Sequence, residues 1–279
     1  MTTTSQALTR HAITQITPTK VDVVDLEHRV KSMYKAVAEN PHDEFHFDMG
    51  RAMAERLGYP TNVLDYIPAA AIDSFAGVGY YFHYANLNAG ENVVDLGSGS
   101  GMDTFFAAQQ VGKSGRVVGV DMTDEQLDKS RTLLNKSDFE NITYQKAYIQ
   151  AVPGEDESFD AVISNGVINL TPNKCEVFKE AARLLKPGGR LALADIVTES
   201  RLPEGITCDA TLWAACIGGA MQQVDYLDAI RSANLIVEQV SDNPEYRFIS
   251  DSAQGATQEF GVKSISVLAR KADGKFSFI

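Results

Sequence analysis

The sequence predicts an α/β protein with a doubly wound, mostly parallel sheet and an N-terminal helical cap. After Gly90, short apolar runs alternate regularly with segments of helical periodicity, which is typical of a parallel sheet with helices on both faces. The run 92–95 leads into glycines at positions 97, 99 and 101, a pattern typical of a buried strand that turns sharply into a helix. Upstream, apolar residues between Leu26 and Val37 recur at helical spacing and predict the cap.

The elements divide the chain into three expected parts. Residues 1–20, rich in Thr, Ser and Gln, are expected to form a flexible leader. Residues 21–88 are expected to form the helical cap, with helices at 21–39, 49–57 and 62–70, and an aromatic, glycine-rich substrate loop at 72–83. Residues 89–279 form the expected core, with strands at 92–95, 116–120, 142–145, 159–164, 190–196, 236–240, 246–249 and 263–269, helices at 103–111, 124–136 and 174–185, and a mostly helical insertion at 203–234.

Composition limits the classes of partner. The formal net charge of −12 would repel a phosphate backbone, so we expect no nucleic-acid partner. No stretch has the pattern of a signal peptide or the roughly 20 apolar residues of a membrane span, so we expect a soluble, cytoplasmic protein without a membrane partner. The cysteines, Cys175, Cys208 and Cys216, show no C-x-x-C spacing and predict neither a disulfide framework nor a metal site. A homodimer is compatible with the sequence, which does not set the oligomeric state.

The glycine turn favours a cationic ligand over a dinucleotide. A G-x-G-x-x-G pattern would need glycine at position 102 or 104, where Met102 and Thr104 stand. Asp95, two residues before Gly97, would also repel a pyrophosphate. Its carboxylate suits a ligand that carries an ammonium group.

A second carboxylate predicts the rest of that ligand. Asp121 ends the strand 116–120 and lies 20 residues after Gly101, where a carboxylate can accept hydrogen bonds from both hydroxyls of a ribose. A ribose and an ammonium group together indicate S-adenosylmethionine. The alternative, that Asp95 and Asp121 only cap helices, explains their positions at strand ends less well.

With these residues in view, the chain resembles the class I S-adenosylmethionine-dependent methyltransferases. The resemblance rests on the stretch 95–101, on Asp121 and on the sequence Lys-Pro-Gly-Gly at 186–189. It implies a seven-stranded, Rossmann-like sheet that ends in an antiparallel hairpin. It also implies that the cofactor is held by Asp95, Gly97, Ser98, Gly99, Gly101, Asp121, Met122, Tyr148, Ile149, Ser164 and Asn165.

Within that class, the stretches 118–123, 163–170 and 212–220 resemble the arsenite methyltransferase branch. The resemblance implies three thiolates for trivalent arsenic, at positions that here correspond to Val78, Gly166 and Cys216. Only Cys216 is a cysteine, and a soft metalloid needs two or three thiolates for firm binding. The branch resemblance therefore leaves the acceptor open.

We therefore expect an enzyme that methylates a small molecule by in-line displacement, which needs alignment and exclusion of water more than catalytic side chains. A soft, thiol-like or natural-product nucleophile is favoured because a hydroxyl or amine would usually need a general base. Candidate catalytic residues are His46, His83 and Cys216. Two alternatives stay open: arsenite methylation by Cys216 with a second cysteine, and a non-catalytic module that binds the cofactor or a partner.

Overall fold

The computed structural model describes residues 21–209, 212–213 and 217–273, so the expected leader at 1–20 lies outside the described residues. The helices are α1 (Val23–Glu39), α2 (Arg51–Leu57), α3 (Thr61–Leu64), α4 (Ala69–Asp73), α5 (Phe82–Ala85), α6 (Met102–Val111), α7 (Asp124–Asn135), α8 (Lys174–Leu184), α9 (Glu204–Thr207), α10 (Gln223–Ser232) and α11 (Asp251–Phe260). The strands are β1 (Asn92–Leu96), β2 (Arg116–Asp121), β3 (Ile142–Lys146), β4 (Phe159–Asn165), β5 (Leu185–Thr198), β6 (Met221–Gln222), β7 (Leu235–Asp242) and β8 (Lys263–Lys271).

One sheet organises these elements and confirms the predicted fold class. Its order is β3-β2-β1-β4-β5-β8-β7, and the two-residue β6 pairs with β5 beside this path. The pairs from β3 to β5 are parallel, whereas β8 is antiparallel to both β5 and β7. The strand order reverses next to β1, so the carboxyl ends of β1 and β4 flank the place where open α/β sheets bind ligands.

Alternate residues of the strands serve opposite faces of the sheet. Val93 belongs to a core that includes Phe105 and Leu127 from α6 and α7, together with residues of α1. Val94 belongs to a second core with Phe178 from α8 and residues of α10. Because side chains alternate along a strand, Asp95 projects on the same face as Val93, toward α6. The sheet therefore has helices on both sides, and its predicted site residue faces the first core.

The helix α1 begins and packs as its sequence predicts. The Asp22 carboxylate accepts hydrogen bonds from the backbone N–H groups of Val24 (3.0 Å) and Asp25 (3.2 Å), which satisfies donors that the first helical turn leaves unpaired. Its apolar stripe, including Leu26 and Val30, is buried in the first core. This stripe places α1 across the carboxyl ends of the strands.

Two expected elements are wrong, and the first is the single helix at 62–70, which the structure divides into α3 and α4 because the turn at 65–68 ends in Pro68. Residues 246–249 are not a strand; the Tyr246 and Phe248 rings pack edge to face instead, with centroids 5.0 Å apart. The helix α11 follows, capped by the Ser250 hydroxyl, which accepts a hydrogen bond from the backbone N–H of Ala253 (3.3 Å). Between 203 and 234 the structure places α9 and α10, while residues 210–211 and 214–216 lie outside the described residues, so the expected helical insertion stays a prediction. The sequence of 250–260 did not predict this helix because its buried residues are the small Ala253 and Ala256, and its one large apolar residue in the core, Phe260, is only partly buried.

A nearly buried ion pair fixes the chain just before β1. Arg190 of β5 donates to both carboxylate oxygens of Glu91, at 2.9 and 2.6 Å, and its side chain is 9% exposed. The same guanidinium also bonds the backbone carbonyls of Ala85 and Asn86. Planar bidentate pairing of this kind is directional, so it sets where the loop after α5 enters the sheet.

No helix in the described part of the chain has both the length and the hydropathy to span a bilayer.

Candidate functional site

The turn between β1 and α6 needs glycine because its backbone has positive φ angles and because neighbouring side chains leave no room for a Cβ atom. Gly97 has φ +77° and Gly101 has φ +99°, values that side chains rarely adopt. A Cβ atom at Gly97 would overlap the side chain of Val167, and one at Gly101 would overlap the Tyr144 hydroxyl. The backbone N–H groups of Gly97 and Ser98 both bond the Val120 carbonyl, which holds the turn against β2. The turn is therefore a backbone cradle that side chains would fill.

Asp95 is a buried carboxylate with a single described donor. Its side chain is 2% exposed, and its Oδ2 accepts a hydrogen bond from the Thr104 hydroxyl at 2.7 Å. Burial raises the pKa of Asp95 well above its usual range, and the charges of Asp103 and Asp121 raise it further. A cationic ligand would lower that pKa because it stabilises the ionised carboxylate.

Asp121, at the end of β2, holds the glycine turn directly. Its Oδ2 accepts from the backbone N–H of Gly99 at 3.0 Å, and its Oδ1 accepts from the backbone N–H of Thr123 at 2.8 Å. Burial raises the pKa of Asp121, while these two backbone hydrogen bonds lower it. The Thr123 hydroxyl and the Met122 backbone N–H also lower this pKa, and the carboxylate lines the cavity, where it can accept from a ligand.

A cavity of about 210 Å³ lies between this turn and α1. All the predicted cofactor residues except Ser164 line it, namely Asp95, Gly97, Ser98, Gly99, Gly101, Asp121, Met122, Tyr148, Ile149 and Asn165. Ser164 instead donates its hydroxyl to the Leu96 carbonyl (2.9 Å), between β4 and β1, and is 1% exposed. The structure therefore brings together residues from the ends of β1, β2 and β4 and from the segment after β3.

Sequence reasoning missed that α1 forms one wall of the cavity. The side chains of Leu26, Val30 and Tyr34 line it. The Gln126 amide of α7 donates to the Tyr34 carbonyl at 2.7 Å, and the Lys35 ammonium lies 2.6 Å from the Glu125 carboxylate. An apolar helical stripe is the same signal whether it covers a core or a ligand, so the sequence alone does not separate the two.

The two candidate histidines do not line the cavity. The His46 ring packs edge to face on Phe47, with centroids 4.5 Å apart. His83 is exposed on α5 and stacks on Tyr80, with centroids 5.7 Å apart. Their proposed role as catalytic bases stays a prediction.

The expected substrate loop contributes less to the cavity than its composition suggests. Of its aromatic residues only Phe75 is part of the lining. Tyr80 and Phe82 pack on Tyr59 with ring centroids 4.9 and 6.1 Å apart, and Tyr81 is fully buried. Most of these rings therefore build the wall behind the cavity.

Among the described residues, the cysteines and the positions that correspond to arsenic-binding cysteines do not form a thiolate cluster. Val78 and Gly166 are neighbours, because a Cβ atom at Gly166 would lie 3.1 Å from Val78 Cγ1. Cys175 packs against the second core, Cys208 ends the short α9, and Cys216 lies outside the described residues. No group of three or more His, Cys, Asp or Glu side chains within the described ranges could hold a metal ion.

Comparison with known proteins agrees with this site. A family model described as a methyltransferase domain matches residues 87–240. The arsenite methyltransferase of Halobacterium salinarum is 39% identical over 199 residues, which are 71% of this chain and 51% of that protein. The chain thus spans about half the length of this relative.

Solved structures show the same architecture. The arsenic(III) S-adenosylmethionine methyltransferase of Chlamydomonas reinhardtii superposes with a TM-score of 0.60 at 29% identity, over 82% of this chain and 76% of that one. The geranyl diphosphate C-methyltransferase of Streptomyces coelicolor, solved with S-adenosyl-L-homocysteine, gives a TM-score of 0.64 at 16% identity, over 87% and 98% of the two chains. The second likeness concerns the fold alone. From the matched domain, the topology and these relatives, we conclude that the chain belongs to the methyltransferase domain family, in the arsenite methyltransferase-like branch of the class I S-adenosylmethionine-dependent methyltransferases.

Proposed function

We propose that this protein transfers the methyl group of S-adenosylmethionine to a small-molecule acceptor, a soft, thiol-like or natural-product nucleophile, by in-line displacement. The observation that supports this most directly is the cavity in which Asp95, the glycine turn and Asp121 meet beneath α1. Their carboxylates and backbone match a ligand with an ammonium group and a ribose. S-adenosylmethionine, when bound, supplies a methyl group on a positively charged sulfur.

The charge of the lining supports a cationic donor. The acidic side chains of the described lining are Glu27, Asp95, Asp103 and Asp121, and the described lining contains no Lys, Arg or His. In a partly buried site, such carboxylates attract an ammonium and a sulfonium more strongly than they would in water. In this proposal Asp95 binds the ammonium group and Asp121 binds the ribose hydroxyls.

The rest of the lining supports an apolar acceptor. It includes Leu26, Val30, Phe75, Val167 and Leu170. These side chains exclude water and orient an acceptor by shape, which is the main need of a displacement between two aligned reactants. Since no imidazole or lysine lines this region in the described part of the chain, the acceptor would bring a nucleophile that needs no strong base.

Binding of S-adenosylhomocysteine, followed by isothermal titration calorimetry, tests the donor site. We expect the intact protein to bind it and Asp95→Ala to weaken binding, because the ammonium group would lose its carboxylate partner. Asp128→Ala is a matched control, since this carboxylate is 78% exposed on α7 and lies outside the cavity. Absence of binding by the intact protein would overturn the proposal.

Incubation with labelled S-adenosylmethionine and a panel of thiols, phenols and arsenite tests the acceptor. Transfer to a thiol or phenol supports the proposal, whereas a non-catalytic binding module would label no member of the panel. Preferential transfer to arsenite would favour the alternative, arsenite methylation by Cys216 with a second cysteine, which the 39% identity to the Halobacterium salinarum enzyme supports. In that case Cys216→Ser should abolish turnover of arsenite while binding of S-adenosylhomocysteine persists.

Two further expectations stay predictions. The division into a cap at 21–88 and a core from 89 onward predicts one cooperative unfolding transition if the interface between them is firm. A homodimer predicts twice the mass of 30.4 kDa by analytical ultracentrifugation.

A further inference from the structure

A third buried carboxylate, Asp103, lies in the same cavity but belongs to neither part of the donor site proposed above. It stands in the first turn of α6 and is 5% exposed. Among the described residues no Lys, Arg or His pairs with it, and its hydrogen-bond partners are neutral. Burial of a carboxylate without a cationic partner costs free energy, so a specific role would explain why Asp103 is buried here.

Three hydrogen bonds to Asp103 connect separate parts of the fold. The Tyr59 hydroxyl donates to Oδ1 at 2.7 Å, the Tyr81 hydroxyl donates to Oδ2 at 2.9 Å, and the Asn165 amide donates to Oδ2 at 3.0 Å. These donors come from the segment between α2 and α3, from the residue before α5, and from the end of β4. Burial raises the pKa of Asp103, and these three donors lower it.

Asn165 connects Asp103 to the loop at residues 78 and 79 through further hydrogen bonds. Its Oδ1 accepts a hydrogen bond from the backbone N–H of Val78 at 2.7 Å, and its amide also donates to the Gly79 carbonyl at 3.1 Å. The amide can satisfy both sides only if its oxygen faces Val78 and its nitrogen faces Asp103. The carboxylate thereby sets the orientation of Asn165, and Asn165 sets the position of residues 78 and 79.

We propose that Asp103 is a positioning residue for methyl transfer, which holds Asn165 and the backbone at 78–79 in place against the donor and acceptor. This inference rests on the proposed function, because it assigns Asp103 to the same cavity. Asp95 and Asp121 bind the donor, whereas Asp103 fixes the wall on which the reactants align. Misplacement of such a wall by about 1 Å can lower a rate by about 100-fold without abolishing binding.

The test begins with Asp103→Asn, which keeps the volume and removes the charge. The Asn165 amide would then donate to a neutral amide oxygen instead of a carboxylate oxygen, which weakens the restraint on Asn165. We expect hydrogen exchange of the Val78 backbone N–H to become faster by about tenfold, the effect of replacing a charged acceptor of Asn165 by a neutral one. Exchange at Val94, in the middle of β1, should not change.

Kinetics separate positioning from folding. For the acceptor that the panel identifies, Asp103→Asn should lower kcat by about 10- to 100-fold while the KM for S-adenosylmethionine stays within about threefold, because Asp95 and Asp121 are intact. Tyr81→Phe is the matched control: it removes one neutral donor and keeps both the carboxylate and Asn165. It should change kcat by less than about fivefold.

The same substitution in an Asn165→Ala background provides the decisive comparison. Asn165→Ala removes the acceptor of the Val78 N–H, so exchange there should already be fast, and adding Asp103→Asn should change it by less than about threefold because Asp103 acts on this N–H through Asn165. If Asp103→Asn changes neither exchange nor kcat, or if it speeds exchange equally in both backgrounds, the positioning role is wrong. Binding of S-adenosylhomocysteine by the wild type is measured alongside, so failure of the donor site is recognised separately.

Discussion

Removal of the Asp121 carboxylate tests the donor site most severely, because this one side chain both shapes the turn and faces the ligand. Two of its acceptor positions are taken by the backbone N–H groups of Gly99 and Thr123, at 3.0 and 2.8 Å. The carboxylate also lines the cavity, where in the proposed donor site it accepts from the two ribose hydroxyls. A hydrogen bond to a charged group contributes about 1.5 kcal/mol at the low end, so the two bonds to the ribose contribute about 3 kcal/mol. Asp121→Ala should therefore weaken binding of S-adenosylhomocysteine by about 100-fold or more.

Isothermal titration calorimetry at constant pH and salt measures this loss, and Asp124→Ala is the control. Asp124 is an acidic residue three positions later, 65% exposed and paired with Lys146 at 2.6 Å, so its removal changes net charge equally without touching the cavity. Asp121→Asn should fall in between, since one amide oxygen can keep one backbone hydrogen bond. If Asp121→Ala binds within about threefold of wild type, the assignment of the ribose to this carboxylate is wrong.

Three further predictions concern stability. Burial raises the pKa of Asp95 above its unfolded value, so the folded apo protein resists ionisation of this carboxyl group. The free energy of unfolding should therefore fall as the pH rises from the ordinary carboxyl range through the raised pKa. Thermal melts between about pH 5 and 8 should show a smaller decline of the melting temperature for Asp95→Asn than for wild type. Gly97→Ala should cost about 1 to 3 kcal/mol in urea unfolding, from φ +77° and overlap with Val167, whereas Gly205→Ala, with open space around it, should cost little. Arg190→Leu leaves its partner carboxylate buried without a cation and should cost about 3 to 5 kcal/mol. A pH slope equal to wild type, or unfolding free energies unchanged by the last two substitutions, would contradict these assignments.

The parts of the fold and site that depend on neighbouring residues could be predicted from the sequence. The strand β1, the glycine turn and the start of α6 follow each other along the chain, and Asp121 ends the next strand, so local pattern was enough. The predicted sheet is confirmed, and its antiparallel part is formed by β8 with β5 and β7 rather than with residues 246–249. Most ends of the core helices agree within two residues, but β5 begins five residues earlier than expected, at Leu185.

The parts that depend on distant contacts could not be predicted in this way. In the sequence, Asp103 resembles any acidic residue at the start of a helix, where a negative charge interacts favourably with the helix dipole. Its hydrogen-bond partners Tyr59, Tyr81 and Asn165 lie 44, 22 and 62 residues away along the chain. The wall formed by α1 was missed for the same reason. The residues 246–249 were mistaken for a strand because alternation of aromatic residues does not show whether a neighbouring strand has a free edge.

The place of β8 in the sheet has a consequence for how the chain folds during synthesis. β8 lies between β5 and β7, so β7 has no strand partner until residues 263–271 have been made. β5 meanwhile presents an unpaired edge along the eight residues, 190–197, that later pair with β8. An exposed apolar edge of this kind can pair with another chain. The interval between synthesis of β5 and of β8 is therefore when this protein is most prone to aggregate, and slower translation of residues 199–262 should lower its soluble yield.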